Sequence, residues 1–418
     1  MTTHHSQLPN EICKEILETT HHSQFSEEIC MEILETTHHS QLPEEICMEI
    51  LEKLPIKSLV RFKVVSKSWK SLISSSYFID CHFDRSAANR SKLGIVLEKS
   101  FKDEHRCSIS FHTLNFSANS LGETTIIDHT ITDCKEADTL SWCRGLLLLS
   151  VKRDLKKYYY ELLLWNPSTR ECKEVRNPLF IREYHYNRIS ASALGYDFTL
   201  KTHKIVAICK HSRHSHHILV YNVKTNSWTQ VEVDEDHEHY AEYLKHKTIF
   251  NGAPHWLIRY GNYGDRDGLE IEYFDFAMNE FKVVPQPGDY GCDSIWHPEL
   301  LDMGGCPCIG YYLSGRFQVW VMKEYGVKES WSNCMEFLIP GVYPICLAKN
   351  YANVSLVTEN GKEEKYAIYN GKERGIELKF LTGSGLRGKK ACTFVESSIS
   401  LKTEKVEEEM QEAPKNQT

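Results

Sequence analysis

The sequence predicts a chain of two classes: a small all-α module of three helices over residues 41–83, then an all-β domain over 92–386. Three observations lead there. From Leu42 to Phe83 the apolar residues fall at helical spacing, in three runs parted by Pro55 and Ser66. Beyond residue 92 that spacing gives way to short runs of β-branched and aromatic residues. Within those runs an aromatic residue followed by Asn or Asp recurs about every 50 residues, a period that marks blades of several strands.

Composition bounds the rest. A chain of 418 residues fits two or three domains, and 41% apolar with 25% charged residues is a globular composition. The net charge of −8 leaves no basic excess to hold nucleic acid. The N-terminus is polar and His-rich, without an apolar signal core, and no run is long enough to span a bilayer, so neither secretion nor a membrane is expected. The 15 cysteines are an odd number without framework spacing. They read as reduced thiols of the cytoplasm or nucleus, where the N-x-S sites at Asn115 and Asn353 carry no weight.

Residues 2–52 hold a triplication, with TTHHSQLPNEICKEILE at Thr2, TTHHSQFSEEICMEILE at Thr19 and TTHHSQLPEEICMEILE at Thr36. Only the third copy runs on into two further helices. The first two are single helices without partners to bury them, and short isolated helices are marginal in water. Residues 1–40 are therefore expected to be a disordered extension. Its His4-His5, His21-His22 and His38-His39 pairs, with Cys13 and Cys30, offer zinc-type ligands. They lack the Cys-x-x-Cys spacing of a structural site, and the duplication itself multiplies them; no metal site is expected.

Leu42 and Pro43 open the module, Pro43 suiting a first helical turn that needs no N–H. Ile46, Ile50, Leu51 and Leu54 then line one face, and Pro55 ends the helix. Leu59, Phe62 and Val65 repeat the spacing. Ser66 can cap a third helix carrying Trp69, Leu72 and Ile73. A module this small leaves apolar surface for another protein to cover. In order and spacing, Leu42-Pro43, Ile46, Ile50-Leu51, Leu54-Pro55, Leu59, Phe62, Val65-Ser66, Trp69, Leu72-Ile73 and Phe78 closely resemble an F-box. The resemblance implies docking on a Skp-type adaptor, itself hung from a cullin scaffold that carries a RING protein and a ubiquitin-charged enzyme. The residues expected to meet the adaptor are Leu42, Pro43, Ile46, Ile50, Leu54, Pro55, Leu59, Val65 and Trp69. Lys57, Arg61, Lys63, Lys67 and Lys70 are expected to steer an acidic partner.

Asp84 to Ser91 reads as a polar connector. Hairpin-like pieces follow, centred on Trp165, Tyr221, Phe274 and Tyr369, each trailed by Asn166, Asn222, Asp275 or Asn370. Asn and Asp start turns by bonding the backbone two residues on. A fifth piece carries Trp320 and Trp331 around an enlarged turn. With several strands per unit, this is the pattern of an all-β, kelch-like β-propeller domain with room for about six blades. Gly304-Gly305 is the only Gly-Gly pair where kelch repeats have one per blade, which leaves an open β-sandwich as the alternative. RGLLLL from Arg144, LWNPSTRE from Leu164, ALGYDF from Ala193, VYNVKTNSW from Val220, NGAPHWL from Asn251, FDF from Phe274 and VWVMKEYGVKESW from Val319 resemble the F-box-associated domain of plant F-box proteins. The last stretch also recurs in S-locus F-box proteins. Residues 400–418, rich in Lys, Glu and Gln, are expected to be disordered.

Enzymatic motifs are missing: no G-x-S-x-G, P-loop, H-E-x-x-H or G-x-G-x-x-G. His203, His211, His214, His216 and His217 read as a solvated loop, Asp234 to His239 as a solvated acidic loop, and Cys306 and Cys308 as core packing. No catalytic residue and no cofactor is expected. The resemblance implies a substrate receptor of a Skp–cullin–F-box ubiquitin ligase that holds an unknown target protein on its β domain. Two alternatives are a non-degradative adaptor-binding scaffold and a pollen S-locus-type receptor for an S-RNase.

Overall fold

A computed structural model describes residues 44–402 apart from 65–66, 89–91, 102–105, 118–119, 122–124, 155–159, 177–187, 211–215, 233–240, 261–267, 289–295, 304, 314–315, 338–341, 348–353, 361–362, 371–374 and 379–386. The extension at 1–40 and the tail from 403 lie outside the described residues.

The helical module has four helices rather than three: α1 (Glu44–Glu52), α2 (Ile56–Phe62), α3 (Lys67–Ser74) and α4 (Ser76–Ala88). Asp84 to Ala88, read as connector, are the last turns of α4. Their polar side chains serve packing at the helix surface: Arg85 lies 3.7 Å from Glu52 at the end of α1. Ser75 fixes the start of α4, accepting the N–H of Phe78 at 3.2 Å as an N-cap does.

Beyond it stand six four-stranded antiparallel units. The second comprises β5 (Glu136–Cys143), β6 (Leu146–Lys152), β7 (Glu161–Asn166) and β8 (Glu171–Val175). The third is β9 (Arg188–Asp197) to β12 (Ser227–Val231), through β10 (Thr202–Lys210) and β11 (His216–Asn222). The fourth is β13 (Ala241–Phe250), β14 (Ala253–Tyr260), β15 (Gly268–Asp275) and β16 (Glu280–Val284). The fifth is β17 (Trp296–Met303), β18 (Cys306–Leu313), β19 (Arg316–Met322) and β20 (Trp331–Phe337), and the sixth β21 (Val342–Leu347), β22 (Val354–Asn360), β23 (Glu363–Asn370) and β24 (Gly375–Leu378); one parallel pair, Met303 with Leu347, joins β17 to β21 and links the two into an eight-stranded sheet.

The first unit is composite. β1 (Lys92–Phe101), β2 (Arg106–Ser117) and β4 (Thr125–Ile131) come from the start of the domain, with a two-residue β3 (Ser120–Leu121) at the end of β2. Its innermost strand is β25 (Arg387–Thr393), which pairs antiparallel with β1, Leu93 facing Thr393. First and last strands thus share one sheet, and β25 stands beside β21, the first strand of the sixth unit, while β1 and β2 stand beside β5 of the second. The result is a closed six-bladed propeller, not an open sandwich. The centres at Trp165, Tyr221, Phe274, Trp320 and Tyr369 fall on β7, β11, β15, β19 and β23, the third strand of blades two to six.

Burial explains why strict alternation is missing from the inner strands. In β6, Leu147 and Leu149 pack with Phe111 and Trp165 between blades one and two. Leu146 and Leu148 pack with Leu194, Ile205 and Tyr221 between blades two and three. A strand enclosed on both faces reads as a continuous apolar run. The outer strands β8 and β12 alternate exposed and half-buried residues and carry charge or polar groups that discourage edge pairing.

The turns follow the expected chemistry. Asn166 Oδ1 accepts the N–H groups of Ser168 and Thr169, Asn222 Oδ1 those of Lys224 and Thr225, and Asp275 Oδ1 those of Ala277 and Met278. Each four-residue loop ends on a left-handed residue: Arg170 (φ 59), Asn226 (φ 56) and Asn279 (φ 56). The loop after Asn370 lies outside the described residues. The enlarged fifth turn holds a 3₁₀ helix, Lys328–Ser330. Trp331 Nε1 reaches back to Pro285 O at 2.8 Å, as Trp228 Nε1 reaches Arg176 O at 2.7 Å. In both cases the fourth strand of one blade ties to the end of the blade before it.

The domain runs past residue 386. After β25, residues 394–402 cross blade two as a strap. Asn166 Nδ2 donates to Ser397 O (3.0 Å) and Ile399 O (2.8 Å). Glu171 Oε2 accepts the Leu401 N–H at 2.6 Å, and Leu401 is buried between blades two and three. Leu401, read as the start of a disordered tail, is a core residue. Among the described residues no helix is long and apolar enough to cross a membrane.

Deleting residues 403–418 is expected to leave the thermal transition unchanged, whereas deleting 387–418 removes the closing strand and strap and abolishes cooperative melting. Circular dichroism of the two truncated chains checks this. Arg170 occupies a left-handed position that Asn tolerates better, so Arg170→Asn is expected to stabilise the chain by about 0.5–1 kcal/mol in urea unfolding.

Candidate functional site

The helical module builds its own core from Leu51, Leu54, Ile56, Leu59, Phe62, Ile73 and Phe78, with Met48, Ile50, Trp69 and Leu72 at its margin. Trp69 meets Phe62 edge to face at 5.6 Å. His82 Nε2 lies 2.9 Å from Leu54 O at the carboxyl end of α1, and burial holds its pKa below the ordinary value. A neutral imidazole donating to that carbonyl satisfies one of the helix's open acceptors. Nothing in the local sequence pattern marked His82 for this role.

This core sorts the residues expected to meet an adaptor. Leu54 and Leu59 are 4% and 0% exposed. They hold the module together and present no surface to a partner. Ile50 and Trp69 are half-buried and Pro55 is exposed at the start of α2. Leu42, Pro43 and Val65 lie outside the described residues, as does the side chain of Ile46 on α1. Among its described residues the module turns three large apolar side chains to solvent, Val60 (40% exposed), Val64 (87%) and Tyr77 on α4 (62%), and Lys57, Arg61, Lys67 and Lys70 are exposed as well. The sequence reading passed over both valines. Val60 stands on α2 next to the buried Leu59, and Val64 lies in the turn just past the end of that helix.

A second cluster joins module to propeller. Arg144, in the two-residue turn between β5 and β6, sends one guanidinium nitrogen to Asp80 (2.8 Å) and another to Asp84 (3.1 Å), both on α4. The guanidinium also lies over Phe83 (4.2 Å) and Tyr196 (4.6 Å). The Tyr196 hydroxyl donates to Asp80 at 3.0 Å, and burial together with that carboxylate pushes the phenol pKa up. The helices therefore sit on the propeller face that carries the β5–β6 and β9–β10 turns.

The titratable groups of the β domain are arranged for packing. His203 is on β10, not in a loop; its Nε2 meets Cys143 O at 3.1 Å, and burial pulls its pKa down to about 4. His255 is likewise buried, lowered to about 4, with Nε2 2.6 Å from the Tyr325 hydroxyl. His216 and His217 lie on β11, while His211, His214 and Asp234 to His239 fall outside the described residues. Burial pushes the Cys143 and Cys209 thiols up to about 12 and Cys308 well above its ordinary value, so all three stay protonated. Among the described residues no three His, Cys, Asp or Glu side chains are placed to hold a metal ion.

Two family models match this architecture. The F-box-associated beta propeller domain matches residues 98–401, and the F-box domain matches 39–80. The chain belongs to the F-box-associated β-propeller family. Its F-box lies where the helical module stands, and its propeller match ends at the strap residue Leu401. Three relatives from Arabidopsis thaliana are similar along most of their length. An F-box/kelch-repeat protein is 28% identical over 302 residues, spanning 69% of this chain and 77% of the relative. A second F-box protein is 26% identical over 352 residues, 75% and 76% of the two chains. The F-box protein CPR1 is 23% identical over 366 residues, 78% and 82%. This chain is thus a plant-type F-box protein of the substrate-recognition class, a family whose members are generally non-catalytic.

The buried imidazoles make stability depend on pH. With folded pKa values near 4 against an ordinary 6.5, His203 and His255 stay neutral while the unfolded chain takes up protons. Stability is then lost as pH falls from 6.5 toward 4, by at most about 1.4 kcal/mol per pH unit for each ring. Glu299, which burial raises from 4.5 to about 7, acts in the opposite sense over part of that range. Urea midpoints are expected to drop between pH 7 and pH 5, and His255→Gln to flatten the drop.

Proposed function

We propose that this F-box protein is the substrate-recognition subunit of a Skp–cullin–F-box ubiquitin ligase, working in the cytoplasm or nucleus. The observation that carries the reading is the exposed pair Val60 and Val64 beside a module whose core is already complete. Branched apolar side chains left in water at the end of α2 and in the turn after it gain by burial against a partner. A Skp-type adaptor with an acidic, apolar-centred groove fits that chemistry, and a cullin joins through it. The propeller then carries the target protein. The helices cover part of one propeller face, so the target belongs on the opposite face, where strands β6, β8, β12 and β16 end. Catalysis by this chain is proximity alone: it raises the target's effective concentration at the ubiquitin thioester. No cofactor takes part.

The test separates surface from core. Val60→Asp with Val64→Asp is expected to weaken adaptor binding by about 10- to 100-fold, the loss of one or two interface anchors, with an unchanged melting curve. Leu59→Ala is expected to cost about 2–5 kcal/mol of module stability instead. Adaptor affinity by calorimetry and melting by circular dichroism read the two effects. Wild-type adaptor affinity in the folded double valine variant would remove this surface from the interface.

A further inference from the structure

We propose that Arg144 is a positioning residue: it clamps the F-box to the propeller as one rigid body and so fixes where ubiquitin can be delivered. The first half stands on geometry alone; the second rests on the ligase reading above.

The argument begins with backbone strain. Cys143 pairs with Leu146, so β5 and β6 are joined by Arg144-Gly145 only, with φ of 43° and 81°. Both central residues are left-handed, the mark of a type I′ hairpin turn, for which Asn-Gly is the favoured pair. The protein supplies its own comparison. The equivalent turn of blade four, between Phe250 and Ala253, is Asn251-Gly252 with φ of 49° and 75°. Blade two thus carries Arg where turn chemistry favours Asn. A left-handed arginine is strained, as Arg170 is too, and at Arg144 that strain is accompanied by work of the side chain.

That work is visible. The Arg144 side chain is only 11% exposed and bridges two carboxylates one helical turn apart on α4. The same guanidinium lies over Phe83 from the helix and Tyr196 from blade three. The Asp80 carboxylate accepts from both Arg144 and Tyr196, so one helix side chain is held by two blades. A planar fork that pairs and stacks at once is a role for arginine and not for lysine. Residues 89–91 alone connect α4 to β1 along the chain. Without the clamp the helices would lose their fixed orientation on the propeller, and a target there would sweep past the ubiquitin donor rather than face it.

The turn comparison gives a clean variant, because Arg144→Asn removes the clamp and improves the hairpin. In the full chain, α4 amides (residues 76–88) are expected to exchange about 10- to 100-fold faster, as loss of a charge-assisted contact implies. The β5–β6 hairpin and the affinity for adaptor should hold. Arg144→Lys should fall between the two. In a ligase reconstituted with adaptor and cullin, ubiquitin on the chain's own lysines, mapped by mass spectrometry, should spread from a confined set in wild type to a broad one in Arg144→Asn. Exchange of α4 within twofold of wild type would overturn the clamp. Faster α4 exchange with an unchanged lysine pattern would overturn its positioning role. Failure of the wild-type assembly to transfer any ubiquitin would instead sink the ligase reading, and α4 exchange would still decide the clamp.

Discussion

The pairing of β25 with β1 is the interaction on which the rest depends. Five blades are continuous stretches of chain, each a local meander of antiparallel strands. A row of such sheets has two raw ends, and each end would expose a face of core residues such as Ile109 and Phe111. Setting the last strand inside the first sheet makes the ends meet. The strap then secures the join: Phe394 packs on Phe111 with ring centroids 4.4 Å apart, and Asn166 holds the carbonyls of Ser397 and Ile399. Gly145 belongs to the same lock, since a Cβ there would stand 2.3 Å from the Ser397 Cβ. The turn that carries Arg144 toward the helices thus also makes room for the strap.

The helical module solves a different problem. About 45 residues cannot bury much, yet Leu51, Leu59, Ile73 and Phe78 are fully enclosed. Enclosure takes four helices, because α4 supplies Phe78 and His82 to cover the end of α1. α4 also supplies Asp80 and Asp84, so the helix that completes the module is the one that fastens it to the propeller. Packing and orientation are therefore set by a single element.

Much of this was legible in the sequence, and the reasons differ by residue. The third strands of blades two, three and four showed themselves because a core aromatic, Trp165, Tyr221 or Phe274, sits beside an Asn or Asp turn-starter there; blade six repeats the pair as Tyr369-Asn370, and blade five was found by Trp320 and Trp331 alone. Blade one was invisible, since its strands come from opposite ends of the domain and β25, Arg-Gly-Lys-Lys-Ala-Cys-Thr, has no aromatic. The module's helices were legible in part, but not the faces of their apolar residues. Leu54 and Val60 are alike in kind, and only packing distinguishes a core leucine from a surface valine. The role of Arg144 was illegible for the same reason: its partners on α4 are about 60 residues away, and short-range periodicity has no access to them.

The strap has a consequence for how the protein is made. The pairing of β25 with β1 and the strap that secures it involve residues 387–401, the last part of the domain to leave the ribosome. The F-box is finished some 300 residues earlier. During synthesis each nascent chain passes through a stage with a complete helical module and an open row of blades, and long-range pairing of this kind is slow. The order of manufacture therefore sets the order of competence: the end of the chain, rather than its beginning, decides when the molecule is whole.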